Sequence, residues 1–200
     1  MRTISRRDES DRQRGEVEDS FILATEQLLA GGSPFADLSV GRIAEHAGRT
    51  RTAFYFYFRD KRDLLVTIMR RVASTLFDQA DVWWSGTGDP RDLRVAMQNV
   101  IRIYDERGPV IGAVVEASTY DDEIRRLWHE IIGRFIAATH DRIIADGGTA
   151  EAARTKAHLL VWMTERVCYL RVIAPPGDMA ASELVEGLYE VWTSAIYTAG

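Results

Sequence analysis

Cysteine is almost missing from this chain: Cys168 is the single one in 200 residues. One thiol closes no internal disulfide, so the fold must rest on its core, and the pattern suits a reducing compartment. Proline is sparse as well. Pro34, Pro90, Pro109, Pro175 and Pro176 all stand where apolar periodicity is interrupted, and none is expected inside a helix. No apolar run approaches the about 18 residues of a membrane span, and the opening stretch MRTISRRDESDRQRG has no apolar signal core. The expectation is a cytoplasmic protein with no membrane partner. Strand-type alternation is nearly absent, which leaves an all-α fold.

The usual marks of catalysis are missing too. His129-Glu130 is followed by Gly133 where a zinc-binding helix needs its second His. His46, His129, His140 and His158 have no ligand spacing, so no metal site is expected. Cys168 sits in an apolar stretch without a neighbouring base and reads as packing. There is no Gly-rich phosphate loop and no G-x-S-x-G. No catalytic residue and no cofactor are assigned, and an enzyme is not expected.

What is present is an uneven charge and a helix-turn-helix pattern. Residues 1–71 hold 13 Arg and Lys against 11 Asp and Glu, while the remainder holds 12 against 19, for a net charge of -5. A mildly basic start on an acidic remainder suits one end that meets DNA. An arm at 1–15 carries Arg2, Arg6, Arg7, Arg12 and Arg14, and a first helix is expected over 16–30, stopped by Gly31-Gly32. Ser39 is a good N-cap, with Val40, Ile43, Ala44 and Ala47 on one face behind it. Gly48 ends that helix, Thr50 caps the next, and Asp60 caps a third that begins at Lys61. Two short helices joined by a Gly-containing turn set the second helix into the DNA major groove. Arg51, Thr52 and Ala53 then fall in the first turn of the reading helix, where Arg can take two hydrogen bonds to guanine and the Thr or Ala methyl can touch a thymine methyl. Tyr55 and Tyr57 offer hydroxyls to phosphate, and Lys61 adds its charge at a helix N-terminus. Phe54, Phe56 and Phe58 are expected in the core.

These residues also resemble a family. Gly48, Thr50-Arg51, Phe54-Tyr55-Phe56-Tyr57-Phe58, Lys61 and Leu64 hold the spacing of the N-terminal domain of the TetR family of bacterial transcriptional regulators, from about residue 16 through Leu65. The resemblance implies that Tyr55, Tyr57 and Lys61 touch the DNA backbone. Arg49 departs from it, because a buried aliphatic usually follows the glycine. Either Arg49 bends out towards the phosphates or the turn packs differently.

The rest of the chain reads as helices over 61–84, 89–106, 110–117, 122–146, 151–173 and 180–198. The 61–84 helix is roughly 36 Å long, enough to link two domains. Divided so, the chain has an arm at 1–15, a DNA-binding domain at 16–60 and a helical body at 61–200. The body is rich in rings: Trp83, Trp84, Tyr104, Trp128, Phe135, Trp162, Tyr169, Trp192 and Tyr197. They either line an elongated apolar cavity between helices or pack as ordinary core. Within the family, Ser39-Val40, FYFYF, Leu127-Trp128, Met163, Glu165-Arg166 and the ending Val191-Trp192 to Ile196-Tyr197 resemble the subgroup that regulates ethionamide activation. That resemblance implies a pocket for a small apolar ligand lined by Ile101, Trp128, Ile132, Phe135, Thr164, Tyr169 and Trp192. Thr164 departs from the subgroup, where an amide side chain stands.

Glu165-Arg166 lies in an apolar helix and must pair internally or face another subunit. Leu159, Leu160, Val161, Val167, Leu184, Leu188, Val191 and Ile196 are more apolar surface than one flank needs, and in the family two such helix pairs form a homodimer. The reading is a homodimeric repressor released from a palindromic DNA operator when ligand tilts the 61–84 helix. An activator is the other regulatory reading. A helical small-molecule carrier that never touches DNA is the alternative from another class.

Overall fold

The computed structural model describes residues 6–86, 89–173 and 180–197, with side chains from residue 12 onward. Residues 1–5 with Arg2, the side chains of Arg6 and Arg7, the Pro175-Pro176 pair and Thr198 lie outside the described residues. The described residues form eight α-helices and one 3-10 turn, with no strand among them. The chain divides into two compact units, residues 1–68 and 69–200.

In the first unit, α1 spans Arg6–Ala30. It starts ten residues before the expected helix, so residues 6–15 are helical. Straight-chain Arg, Gln and Glu lose little rotamer freedom in a helix, and one Gly15 costs only about 1 kcal/mol. After a 3-10 turn at Phe35–Asp37 come α2 (Val40–His46), α3 (Arg51–Tyr55) and the start of α4 (Lys61–Trp84). The ends are written in the sequence. Ser39 Oγ accepts from the Arg42 amide, Thr50 Oγ1 from the Ala53 amide, and Asp60 Oδ1 from the Arg62 and Asp63 amides. Gly48 has φ 63°, and the Arg49 amide reaches back to Ala44 O while the Gly48 amide reaches Glu45 O. That pair of bonds is the left-handed helix stop that glycine makes without strain. The core is aromatic: Phe21 meets Phe54 edge-on at 5.3 Å, and Phe54 meets Phe58 at 5.3 Å. Ile43, Leu64 and Leu65 complete it.

In the second unit, Met69–Trp84 of α4 packs with α5 (Pro90–Ala117), α6 (Asp122–Ala145), α7 (Ala150–Ile173) and α8 (Ala181–Tyr197). Two expected helices are therefore one: α5 runs through Pro109. Proline removes the bond to the Asp105 carbonyl, but the apolar stripe continues across it as Ile101, Tyr104, Gly108, Ile111 and Val114. Gly108 allows the close approach of α7, since a Cβ there would sit 2.6 Å from Val172 Cγ1. Packing on α7 and α8 holds the helix where propensity alone would break it.

The apolar surplus on α7 and α8 divides in two. Leu160, Val161, Leu184 and Leu188 are buried within the chain, whereas Leu159, Leu170, Ile173 and Val191 are exposed at 64%, 47%, 52% and 46%. Leu188 is thus core of a single chain and not the centre of an outer face.

Candidate functional site

In the first unit, α3 is only five residues long, and Phe54 is its buried anchor. Its other side is open. Arg51 and Thr52 are exposed, and Ala53 is half-buried. The Arg51 guanidinium donates to the Tyr55 hydroxyl at 3.3 Å and lies 5.9 Å from that ring's centre. Tyr55 keeps its own O–H for an acceptor such as phosphate. Ser39 and Thr50 serve as caps, and each retains a hydroxyl proton to donate. Tyr57 is half-buried against Phe21 at 6.1 Å.

Two expectations change here. Phe56 is not core but 77% exposed. Phe54 and Phe58 lie four apart and share the inner face, so Phe56, two residues on, points about 200° around. Helical phase alone could have found it. Lys61 is not a free surface charge: its ammonium donates to Phe35 O at 3.0 Å and Ala36 O at 2.7 Å, with Nζ 5.0 Å from the Phe35 ring centre. Burial pulls its pKa below the ordinary lysine value despite the nearby Asp37 carboxylate, and one N–H remains for an outside acceptor. Arg49 takes the outward alternative, exposed, with Nε 3.4 Å from Ser20 Oγ on α1.

The second unit holds a cavity of about 70 Å³. Of the expected ligand residues, Trp128, Ile132, Phe135, Thr164 and Trp192 line it. Ile101 and Tyr169 do not. Ile101 borders a separate, more polar groove with Gln98, Arg102, Asp105, Val185 and Glu186. Tyr169 falls off the inner face of α7, which is Val161, Thr164, Glu165 and Cys168, and lies under the Arg166 guanidinium at 5.2 Å. The sequence reading missed the wall given by α4, Leu76 and Ala80 beside Trp83 and Trp84, and Met97 and Val100 on α5. The α4 stripe was visible, but not which part of it faces a void.

Polar groups on this wall are few. The Trp192 indole donates to Thr164 Oγ1 at 2.9 Å, Trp84 to Thr139 Oγ1 at 3.3 Å, and Trp83 to the Tyr197 hydroxyl at 3.1 Å. Thr164 therefore accepts from Trp192 and keeps its own O–H to donate. Glu165 is 3% exposed, and neither carboxylate oxygen has a hydrogen-bond partner among the described residues. Arg166 Nε stands 3.8 Å away, too far to donate, and that side chain is 53% exposed. Desolvation raises the Glu165 pKa above the usual carboxylate value, with only partial opposition from Arg166. The Cys168 thiol is pushed up to about 12 by burial and by Glu165, so it stays protonated and unreactive. Among the described residues no group of His, Cys, Asp and Glu could hold a metal.

Comparison with known proteins agrees with both halves of the fold. The tetR family model of bacterial regulatory proteins matches residues 23–68, and the model of the C-terminal domain of the transcriptional regulator EthR matches residues 93–198. The chain is 28% identical to the HTH-type transcriptional regulator EthR of Mycobacterium tuberculosis H37Rv, over 93% of this chain and 90% of that one. It is 29% identical to EthR of Mycolicibacterium smegmatis, over 94% and 90%. Among solved structures, a tetR-family transcriptional regulator from Streptomyces coelicolor superposes with a TM-score of 0.75 at 18% identity, covering 90% of this chain and 80% of that one. The helix-turn-helix match removes the alternative of a carrier without DNA binding. The relatives are named as regulators, not enzymes. No described helix is long and apolar enough to cross a membrane.

Proposed function

The chain belongs to the TetR family of bacterial transcriptional regulators, with an EthR-type C-terminal domain, and within that family we propose that it is a homodimeric repressor released from a palindromic operator by a small apolar ligand. The observation that carries this reading is the composition of α4. Lys61–Ile68 belongs to the DNA-binding unit, and Leu76, Ala80, Trp83 and Trp84 of the same helix line the cavity. A ligand that wedges against those four side chains acts on the helix that continues into the DNA-binding unit. Two reading helices must meet successive major grooves roughly 34–36 Å apart, so a modest tilt of α4 in each subunit removes the fit. Arg51, Thr52, Ala53, Tyr55 and the exposed Phe56 form the DNA-facing set, Ser39 and Thr50 hold its two helices, and Tyr57 and Lys61 back it. The exposed Leu159, Leu170, Ile173 and Val191 supply the surface for a second copy.

The test is selection of DNA fragments by the purified protein, followed by titration of the selected sequence. An inverted repeat is expected, bound with an affinity that falls steeply with salt as phosphate contacts release counterions. Recovery of no preferred sequence at any salt concentration would overturn the operator reading. Loss of binding on adding one of a panel of apolar compounds is expected. Unchanged binding across the whole panel would leave a regulator without a ligand switch.

A further inference from the structure

We propose that the cavity of the second unit takes an apolar amine, held by an ion pair between its ammonium group and the Glu165 carboxylate, and that this cation is the releasing ligand. The inference rests on the ligand-sensing reading above and narrows it to one chemical class. The indole N–H groups of Trp83, Trp84 and Trp192 are already donated to Tyr197, Thr139 and Thr164. Those donors are not available to a ligand carbonyl or carboxylate. The hydroxyls of Tyr104, Thr139 and Thr164 can still donate to a ligand, but the charge among the lining residues is that of Glu165, 3% exposed, whose two oxygens have no hydrogen-bond donor among the described residues. A ligand must bring the donors, and a protonated amine brings them together with the charge that a buried carboxylate lacks. The rings of Trp84, Trp128, Trp192, Tyr104 and Phe135 line the same space. Aromatic faces within about 6 Å of an organic cation attract it, most strongly where water is excluded.

The groups facing Glu165 are Tyr104 from α5 and Arg166 and Cys168 from α7, while the cavity walls of α4, α6 and α8 present no titratable side chain. Tyr104 and Cys168 are both pushed up by burial and remain neutral near neutral pH. Burial favours the protonated form of Glu165 in the empty protein, and the acid gives up that proton when an ammonium arrives. Amine binding therefore releases that proton and tightens as pH rises through the raised Glu165 value, because less proton must then be displaced. A neutral ligand that accepts from the protonated acid has the opposite dependence.

The experiment compares phenethylamine with phenethyl alcohol by calorimetry on the full-length protein and on Glu165→Gln, with operator release followed in parallel. The substitution is close to isosteric, circular dichroism checks its fold, and the wild-type comparison needs no variant. The amine is expected to bind at least tenfold more tightly than the alcohol, and to lose that advantage in Glu165→Gln while alcohol affinity stays within about twofold. Equal or weaker binding of the amine, binding of neither compound, or an amine affinity unmoved by Glu165→Gln overturns the proposal. If the alcohol alone binds and releases operator, the amine class falls and the sensing role stands. If the amine binds through Glu165 without changing operator affinity, the cation site stands and the sensing role falls.

Discussion

Arg142 and Glu165 show how differently two buried charges can be treated within one unit. The Arg142 guanidinium donates to both oxygens of Asp146, at 3.0 and 2.7 Å, and to Gly86 O at 2.7 Å, with side-chain exposures of 7% and 15% for the pair. Arg142→Met leaves the Asp146 carboxylate buried without its partner, a loss expected to cost about 3–5 kcal/mol in urea unfolding. A cost below about 1 kcal/mol would mean that the pair is solvated. Glu165 has no such partner, and its pKa is raised in the folded chain by desolvation. The unfolded chain then loses its proton first as pH rises, so this residue's contribution falls from the ordinary glutamate range up through the raised value and levels off above it. Melting temperatures of wild type and Glu165→Gln should diverge with rising pH, the variant being the flatter of the two. Parallel curves would show that Glu165 finds a partner or water.

At the scale of the element, α5 carries opposite outcomes on adjacent residues. Gly108→Ala places a Cβ 2.6 and 2.9 Å from the two methyls of Val172, a stiff β-branched side chain, and should cost about 1–3 kcal/mol through overpacking. Pro109→Ala restores the amide that can bond Asp105 O and should stabilise the domain by up to about 3 kcal/mol. If both substitutions shifted stability in the same direction, the account of how α5 passes its proline would fail. This proline also marks what local rules could and could not disclose. Ser39, Gly48, Thr50 and Asp60 spell out the ends of α2, α3 and α4 because caps act within one turn, and the structure uses each of them as written. Pro109 reads as a break because the packing that holds α5 beside it, Gly108 against Val172 of α7, lies far away in sequence. Five of the seven cavity residues that the family resemblance implies line the void: Trp128, Ile132 and Phe135 on α6, Thr164 on α7 and Trp192 on α8. Ile101 faces inward but borders a neighbouring groove, a difference helical phase does not carry, whereas Tyr169 lies off the inner face of α7, which phase does carry. Phe56 is the converse: helical phase places it outside, but a run of five successive aromatics masks that phase behind hydrophobicity.

At the scale of the whole molecule, the proposed function requires three separate surfaces to act together. Arg51→Ala should relax preference at one base position by roughly 1–3 kcal/mol, read by competition with singly altered operators, while leaving the ligand cavity intact. Leu159→Glu, on the exposed face of α7, should give monomers by light scattering and weaken operator binding, because a lone subunit loses the linked second half-site. Leu188→Glu is the contrast. It buries a charge in the core of one chain and should unfold the domain rather than split a dimer. If Leu159→Glu remained dimeric, the interface would lie elsewhere on the second unit. The last requirement is reciprocal. A ligand that favours the DNA-incompetent state about 100-fold supplies roughly 2.7 kcal/mol, within the usual range of allosteric coupling. Linkage then obliges operator DNA to weaken ligand binding by the same factor. Calorimetric titration of a cavity ligand into protein with and without saturating operator should show that equality. The product of affinities around the cycle must close, so a ligand that releases DNA yet binds equally well to the free and operator-bound protein would have to act on the DNA and not on the protein.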